Sequence, residues 1–263
     1  MALVNRFGAL RVSQLEALCH GRLKKRSIYW NLEALIADGL VDYFATAGRQ
    51  HTGYMGTVQG LKMYLGEDQP VTKSPRLCDI NHTLVCAETL IELCHRNNIE
   101  KIETEYEMST KALDGVLFDR MPDAMVTLRQ GKYAYKIAVE VETSQKNKTR
   151  VEDIIFNYRK SFEAKLSCAG VIIVACGLGI HKAYVAAIAQ LPEDLQKKFV
   201  LFRSTQLIGL KDSAFGIRSA YIGRALQMNF TPCKGEIYET PVISGHNQLS
   251  QSVRSPVRHG DEV

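Results

Sequence analysis

Residues Tyr133–Thr143 read Tyr-Ala-Tyr-Lys-Ile-Ala-Val-Glu-Val-Glu-Thr and alternate at period two. The alternation predicts a strand with Tyr135, Ile137, Val139 and Val141 on one face and Lys136, Ala138, Glu140 and Glu142 on the other. Two carboxylates two residues apart on one strand face repel, and acids are poor strand formers. That choice points to a cation nearby. Downstream, Asn147–Glu163 reads as a helix with Val151, Ile154, Ile155, Tyr158 and Phe162 on one face. Lys146, Lys148, Arg150, Arg159 and Lys160 lie on or near it. Ala169–Ala175 is an all-apolar run of the kind found in a central strand. A helix over His181–Leu191 and a strand over Phe199–Phe202 complete a βαβ-like alternation, so the fold class is mixed α/β. Gly177-Leu178-Gly179 lacks both the third glycine of a dinucleotide loop and the Gly-Lys-Ser/Thr of a P-loop, and reads as a strand-to-helix turn.

Upstream of the acidic strand stands Pro122-Asp123 at the start of a strand over Ala124–Leu128, with Gly131-Lys132 as the turn between them. Ile99–Tyr106 is a further strand candidate, and Asn81–Arg96 a helix capped by Asn81. Cys78, Cys86 and Cys94 are eight apart, and His82 is four from both Cys78 and Cys86. No C-x-x-C pair occurs among the seven cysteines, so these thiols read as small buried hydrophobes rather than as metal ligands.

The first 66 residues carry a different signal. The chain has 263 residues, 33 Lys/Arg against 28 Asp/Glu, and a net charge of +5. Eight of those basic residues and four of the acids fall before Glu67, so nearly all the net charge sits there. A basic module on a near-neutral body suggests an anionic partner, most simply nucleic acid. Val4–Leu10 belongs to a first helix and Val12–Cys19 to a second, with Ser13 as N-cap. The third helix runs from Ser27, as its cap, to Asp38, with Ile28, Leu32, Leu35 and Ile36 as its apolar stripe. Gly39 ends it as a C′ glycine. Leu40–Phe44 and His51–Val58 read as a hairpin around Ala47–Gln50.

Gly66–Pro75 is a loop by composition, and Thr231 onward loses periodicity, with disorder expected from about Ser244. Arg254 and Arg258 could add non-specific DNA affinity there, or dock a partner. The domain reading is 1–66, a linker at 67–80, a second domain at 81–230 and a flexible tail at 231–263. The fractions of apolar (46%) and charged (23%) residues exclude wholesale disorder. No run of about 18 apolar residues occurs, so no membrane span is expected. Met1–Leu10 does not read as a signal peptide, and the expected setting is cytoplasmic with reduced thiols.

Two resemblances follow. Residues 1–66, and Leu32–Val41 (Leu-Glu-Ala-Leu-Ile-Ala-Asp-Gly-Leu-Val) above all, resemble a winged helix-turn-helix. That resemblance implies contact with double-stranded DNA through Arg22, Lys24, Lys25, Arg26, Tyr29 and Trp30, with Arg49 and His51 at the wing tip. Pro122-Asp123 followed by Glu140-Val141-Glu142 resembles the PD-(D/E)xK nuclease superfamily, the restriction-endonuclease-like fold. It implies Mg²⁺ or Mn²⁺ held by Asp123, Glu140 and the Val141 carbonyl. The family's lysine position is Glu142 here; Lys136 or Lys146 is a candidate substitute.

The two modules together look like the plasmid-encoded "replication-relaxation" proteins and the MobC-type relaxases. The residues that carry this are Arg120–Val126 (Arg-Met-Pro-Asp-Ala-Met-Val) and Ala138–Phe162. The resemblance implies metal-dependent nicking at a plasmid origin of transfer during conjugative mobilisation, with Asp123, Glu140 and Glu142 as the metal triad. Arg150, Arg159 and Lys160 would be backbone contacts, and a coupling or accessory mobilisation protein or a second copy would be a partner. The His-x-His pair of another relaxase class is absent, and Tyr158, at apolar helical spacing, reads as core. The rival reading is a non-catalytic DNA-binding regulator of replication or transcription on a nuclease-like scaffold. A weaker third is a double-strand endonuclease.

Overall fold

The computed structural model describes residues 1–19, 22–45, 53–69, 71, 75–96, 99–111, 121–130, 133–163 and 168–204. Arg49, His51, Arg120, the Gly131-Lys132 turn and everything from residue 205, including the tail with Arg254 and Arg258, lie outside these.

The chain begins with α1 (Ala2–Phe7), β1 (Ala9–Leu10), α2 (Val12–Leu18) and α3 (Lys25–Ala37). The hairpin β2 (Val41–Phe44) and β3 (Gly53–Gly56) follows, then α4 (Val58–Leu65). The small antiparallel sheet has the order β1-β3-β2. Several local readings change. The first helix stops at Phe7, because Gly8 takes φ 80° and turns Ala9–Leu10 into a strand paired with Tyr54–Met55. Arg11, not Ser13, precedes α2, and its N–H is capped by the Gln14 side chain at 2.9 Å. Helix α3 starts two residues before Ser27 and has no side-chain cap. Its end is as predicted. Gly39 sits at φ 69°, its N–H bonded to the Ile36 carbonyl, and the Leu40 N–H reaches Leu35, both at 2.9 Å, a Schellman closure.

The predicted return strand reached Val58, but β3 ends at Gly56 because Thr57 caps α4, its hydroxyl accepting the Gly60 N–H at 2.9 Å. Gly60 lets α4 lie against the backbone. A Cβ there would stand 2.0 Å from the Leu40 carbonyl oxygen and 2.7 Å from Asn5 Oδ1. Gly60→Ala normally stabilises a helix by about 1 kcal/mol. Here it is expected to destabilise by about 1–3 kcal/mol through overpacking, read as a lower denaturation midpoint; a raised midpoint would show that α4 can step back.

The larger sheet runs β4 (Ile99–Thr104), β5 (Ala124–Gln130), β6 (Tyr133–Glu142), β7 (Gly170–Ala175) and β8 (Phe199–Arg203), in that spatial order. The first three strands form an antiparallel meander, and β6, β7 and β8 are parallel. Helices α5 (Ile80–Arg96) and α6 (Glu105–Lys111) flank β4. Helix α7 (Lys148–Glu163) connects β6 to β7, and α8 (Leu178–Ile188) with the short α9 (Glu193–Gln196) connects β7 to β8. Helix α5 starts one residue before the predicted Asn81 cap, β4 gives way to α6 at Glu105, and α8 starts three residues earlier than predicted, with Gly177 as its N-cap.

Each sheet face has its own core. Ile137, Val139 and Val141 of β6 join Ala87, Leu90 and Leu93 of α5, and that cluster continues without a break into Val4, Leu15, Ile28 and Val41. The two modules therefore bury apolar surface against each other. Polar contacts seal the junction: Gln14 Nε2 donates to the Leu84 carbonyl at 3.0 Å and to Glu88 at 2.8 Å, and Tyr64 donates to Glu107 at 2.8 Å. On the opposite face, Ala138, Val171 and Ile173 pack against Val151, Ile154, Ile155 and Tyr158 of α7 and Tyr184 of α8. All six residues of β7 are buried, as its apolar run predicts for a central parallel strand.

Candidate functional site

The carboxyl end of β6 is where antiparallel pairing on one side meets parallel pairing on the other. Ala124 pairs with Val139, the last pair of the β5–β6 ladder, so Asp123 and Glu140 are the next residues beyond it on the two chain segments. The two strands carry their acids to one end of the sheet. The Asp123 carboxylate bends over the end of the ladder: Oδ2 accepts the Val141 N–H at 2.7 Å and Oδ1 lies 3.0 Å from His82 Nε2. Its side chain is 15% exposed.

Glu140 and Glu142 share one face, as the alternation predicts, and that face is the one covered by α7 and α8. Both are buried, at 0% and 1% exposure. Each has a tyrosine from a different helix. Tyr158 of α7 donates to Glu140 at 2.6 Å, and Tyr184 of α8 donates to Glu142 at 2.7 Å. Helical spacing aims both tyrosines inward, because they sit among the apolar residues of their helices. Glu142 also forms an ion pair with Lys146, in the turn that leads into α7. An ionised carboxylate removed from water is costly unless paired and hydrogen-bonded, and Glu142 has both compensations. The unusual acids on a strand are thus explained in part by partners on the protein itself.

Among the sequence-predicted residues, Asp123, Glu140, Glu142 and Lys146 are brought to one end of β6. Lys136 is exposed and lies four residues back, about 13 Å along the strand. Its carbonyl accepts the Ala169 N–H ahead of β7, so it belongs to the other end of the sheet. Arg150 is exposed in the first turn of α7, and its N–H is capped by Asn147 at 2.8 Å. Lys160 lies over the Phe156 ring at 4.8 Å, and Arg159 is half-buried one residue before it.

In the N-terminal module, Arg22, Lys24, Lys25 and Arg26 are exposed, the last three at the start of α3. Trp30 is 61% exposed, and the Arg26 guanidinium stacks over its ring at 4.8 Å. Tyr29 is 39% exposed. Ile28 and Leu32 of the same helix are buried, so the cationic and aromatic residues form the outward face of a well-anchored helix.

No protein-family model, curated protein or solved structure matches this chain.

Two features escaped sequence reasoning. Tyr158 reads as core, and it is 2% exposed, but its hydroxyl is bound to Glu140. His82 and Cys86, whose thiol reads from sequence as a small buried hydrophobe rather than a metal ligand, meet Asp123. Their donor atoms and an Asp123 oxygen all lie within 4.8 Å of one another, the one such group of three His, Cys, Asp or Glu ligands among the described residues. The helical i,i+4 spacing of His82 and Cys86 was visible, and the third ligand, 37 residues beyond Cys86, was not.

Proposed function

We propose that this chain is a metal-dependent DNA nuclease of the nicking, relaxase kind, with an N-terminal winged helix that binds double-stranded DNA. The observation that carries the reading is the Asp123 carboxylate bonded to the Val141 N–H, between Glu140 and Glu142, with Lys146 paired to Glu142, at the end of the β5–β6 ladder. The order helix, three-strand meander, helix, parallel strand (α5, β4–β6, α7, β7) supports a restriction-endonuclease-like core. The order of three helices and a hairpin supports the winged helix.

The donor set suits a hard divalent ion. Asp123 and Glu140 offer carboxylate oxygens only, from two adjacent strands held in fixed register. Glu142, already matched to Lys146 and Tyr184, acts as a positioning residue at this site. When bound, Mg²⁺ or Mn²⁺ supplies Lewis-acid polarisation of the phosphate and a water of lowered pKa. The protein's own residues do the rest. Tyr158 holds the Glu140 carboxylate in one rotamer, and the Val141 N–H does the same for Asp123. Lys146, 25% exposed, presents a cation where charge develops on the scissile phosphate.

Lys24, Lys25 and Arg26 grip backbone phosphates at the N-terminus of α3, and Tyr29 and Trp30 lie against the duplex. Replacing the three cations together by alanine is expected to reduce the slope of log Kd against log salt by about 2–3, close to 0.9 per lost phosphate contact. An unchanged slope in salt titrations would move the DNA interface elsewhere.

The function itself is tested on supercoiled plasmid carrying the chain's own transfer origin, incubated with Mg²⁺ or Mn²⁺. Open circles are expected. Linear product would instead indicate a double-strand endonuclease. A specific observation favours the rival, a DNA-binding regulator: Glu140 and Glu142 are sealed by tyrosine hydroxyls and fully buried. That reading expects shifted but intact plasmid under every metal condition.

A further inference from the structure

A cavity of about 190 Å³ opens beside the carboxyl end of the sheet, between α5, α6 and the start of β5. His82, Cys86 and Asp123 line it, together with Asp79, Glu105 and Tyr106. His82 and Cys86 are one turn apart on α5 and project to the same side. His82 Nε2 lies 3.0 Å from Asp123 Oδ1 and 3.4 Å from Cys86 Sγ.

We propose that His82, Cys86 and Asp123 form a binding site for a borderline-soft divalent metal of the Zn²⁺ and Co²⁺ class. The site goes beyond the nuclease reading and shares only Asp123 with it. Three arguments lead there. First, the acid and the thiol converge on the same imidazole nitrogen. A nucleophilic Cys–His–Asp relay needs the thiol on one ring nitrogen and the carboxylate on the other. Both partners on Nε2 describe three donors around one point, which is the geometry of a ligand set.

Second, the spacing fits. Tetrahedral coordination at Zn–N and Zn–O distances of about 2.0–2.1 Å and Zn–S of about 2.3 Å separates donors by about 3.3–3.6 Å. The observed 3.0 and 3.4 Å need to open by only a few tenths of an ångström. Third, the chemistry of the set selects the metal. An imidazole and a thiol favour zinc-class ions and are poor ligands for Mg²⁺.

Three protein ligands leave the fourth position facing the cavity, where a water or an oxygen of a bound anion can enter. Binding releases the Cys86 thiol proton to solvent; the proton that His82 Nε2 donates to Asp123 in the metal-free protein leaves that nitrogen, and the ring keeps its one proton on Nδ1, so that the Nε2 lone pair is free for the metal.

The test uses the full-length chain, reduced and metal-free, titrated with Co²⁺. Wild type is expected to take one equivalent, with tetrahedral d–d bands and a thiolate-to-Co²⁺ charge-transfer band. Cys86→Ser should lose the charge-transfer band, and His82→Gln should weaken binding at least tenfold. Cys78→Ser, at an exposed position, should keep the wild-type spectrum. Zn²⁺ should displace Co²⁺ stoichiometrically, and a hundredfold excess of Mg²⁺ should not. Absence of the charge-transfer band in wild type, its survival in Cys86→Ser, or displacement by Mg²⁺ would overturn the proposal. These are binding readouts, so loss of nicking with intact Co²⁺ binding, or the reverse, separates this site from the nuclease reading.

Discussion

Tyr184→Phe is expected to lower stability by about 1.5–3 kcal/mol, the range for a hydrogen bond to a charged group. For a folded unit of this size that is roughly a 3–12 °C fall in Tm. The reason is local. Tyr184 is fully buried, and its hydroxyl donates to a carboxylate that is 1% exposed. Phenylalanine fills the same volume among Val171, Ile173 and Leu195, so packing is kept and only the donor is lost. The double substitution Tyr184→Phe with Glu142→Leu is expected to recover at least half of the loss, because both halves of the polar pair are then gone. Lys146, at 25% exposure, can turn to solvent once Glu142 is removed. Thermal melts of the single and double variants check this. No change in Tyr184→Phe would mean that Lys146 alone suffices for Glu142.

Glu140→Gln carries the largest expected effect on activity. The amide oxygen can still accept the Tyr158 hydroxyl, so the fold and the position of α7 are kept. The charge that would hold a divalent ion beside Asp123 is gone. Nicking is expected to fall about 100-fold or more, the several kcal/mol that a metal ligand supplies. DNA affinity, which the proposed function assigns to α3, is expected to stay within twofold. A protein that uses these acids only as scaffold would show the same behaviour in wild type and in Glu140→Gln. The contrast between cleavage and binding is therefore the informative quantity, and parallel gel-shift and cleavage assays measure it.

The strands of the large sheet were legible because period-two alternation and an apolar run are strong signals. β6 and β7 fall within one residue of their predicted limits, and the alternation assigned each β6 side chain to the correct face. The Schellman end at Gly39 was legible for a similar reason: few residues other than glycine tolerate φ 69°. Helix α4 was missed. Its eight residues follow a strand without a proline or charge break, and the Thr57 cap that starts it reads equally well as a strand residue. The continuous core between the modules was also hidden, since no local pattern shows that Leu15 and Leu90 share one cluster.

At the site, the same distinction holds. The two glutamates declared themselves by being wrong for a strand. Their tyrosine partners did not, because a buried tyrosine has the same spacing as any apolar residue. The assembly of Asp123 with His82 and Cys86 depends on α5 lying across the end of β5, a tertiary fact with no short-range signature. Lys136 was a candidate by sharing a face with the acids, but strand geometry separates residues on one face by almost 7 Å per step.

The most direct test of the account takes supercoiled plasmid with the transfer origin, wild-type protein and Glu140→Gln, each with Mn²⁺ and with excess chelator, resolved on one gel. The account predicts open circles in a single lane, wild type with Mn²⁺, and equal binding by both proteins. Intact plasmid in every lane, or open circles that persist with Glu140→Gln or with chelator, would contradict it.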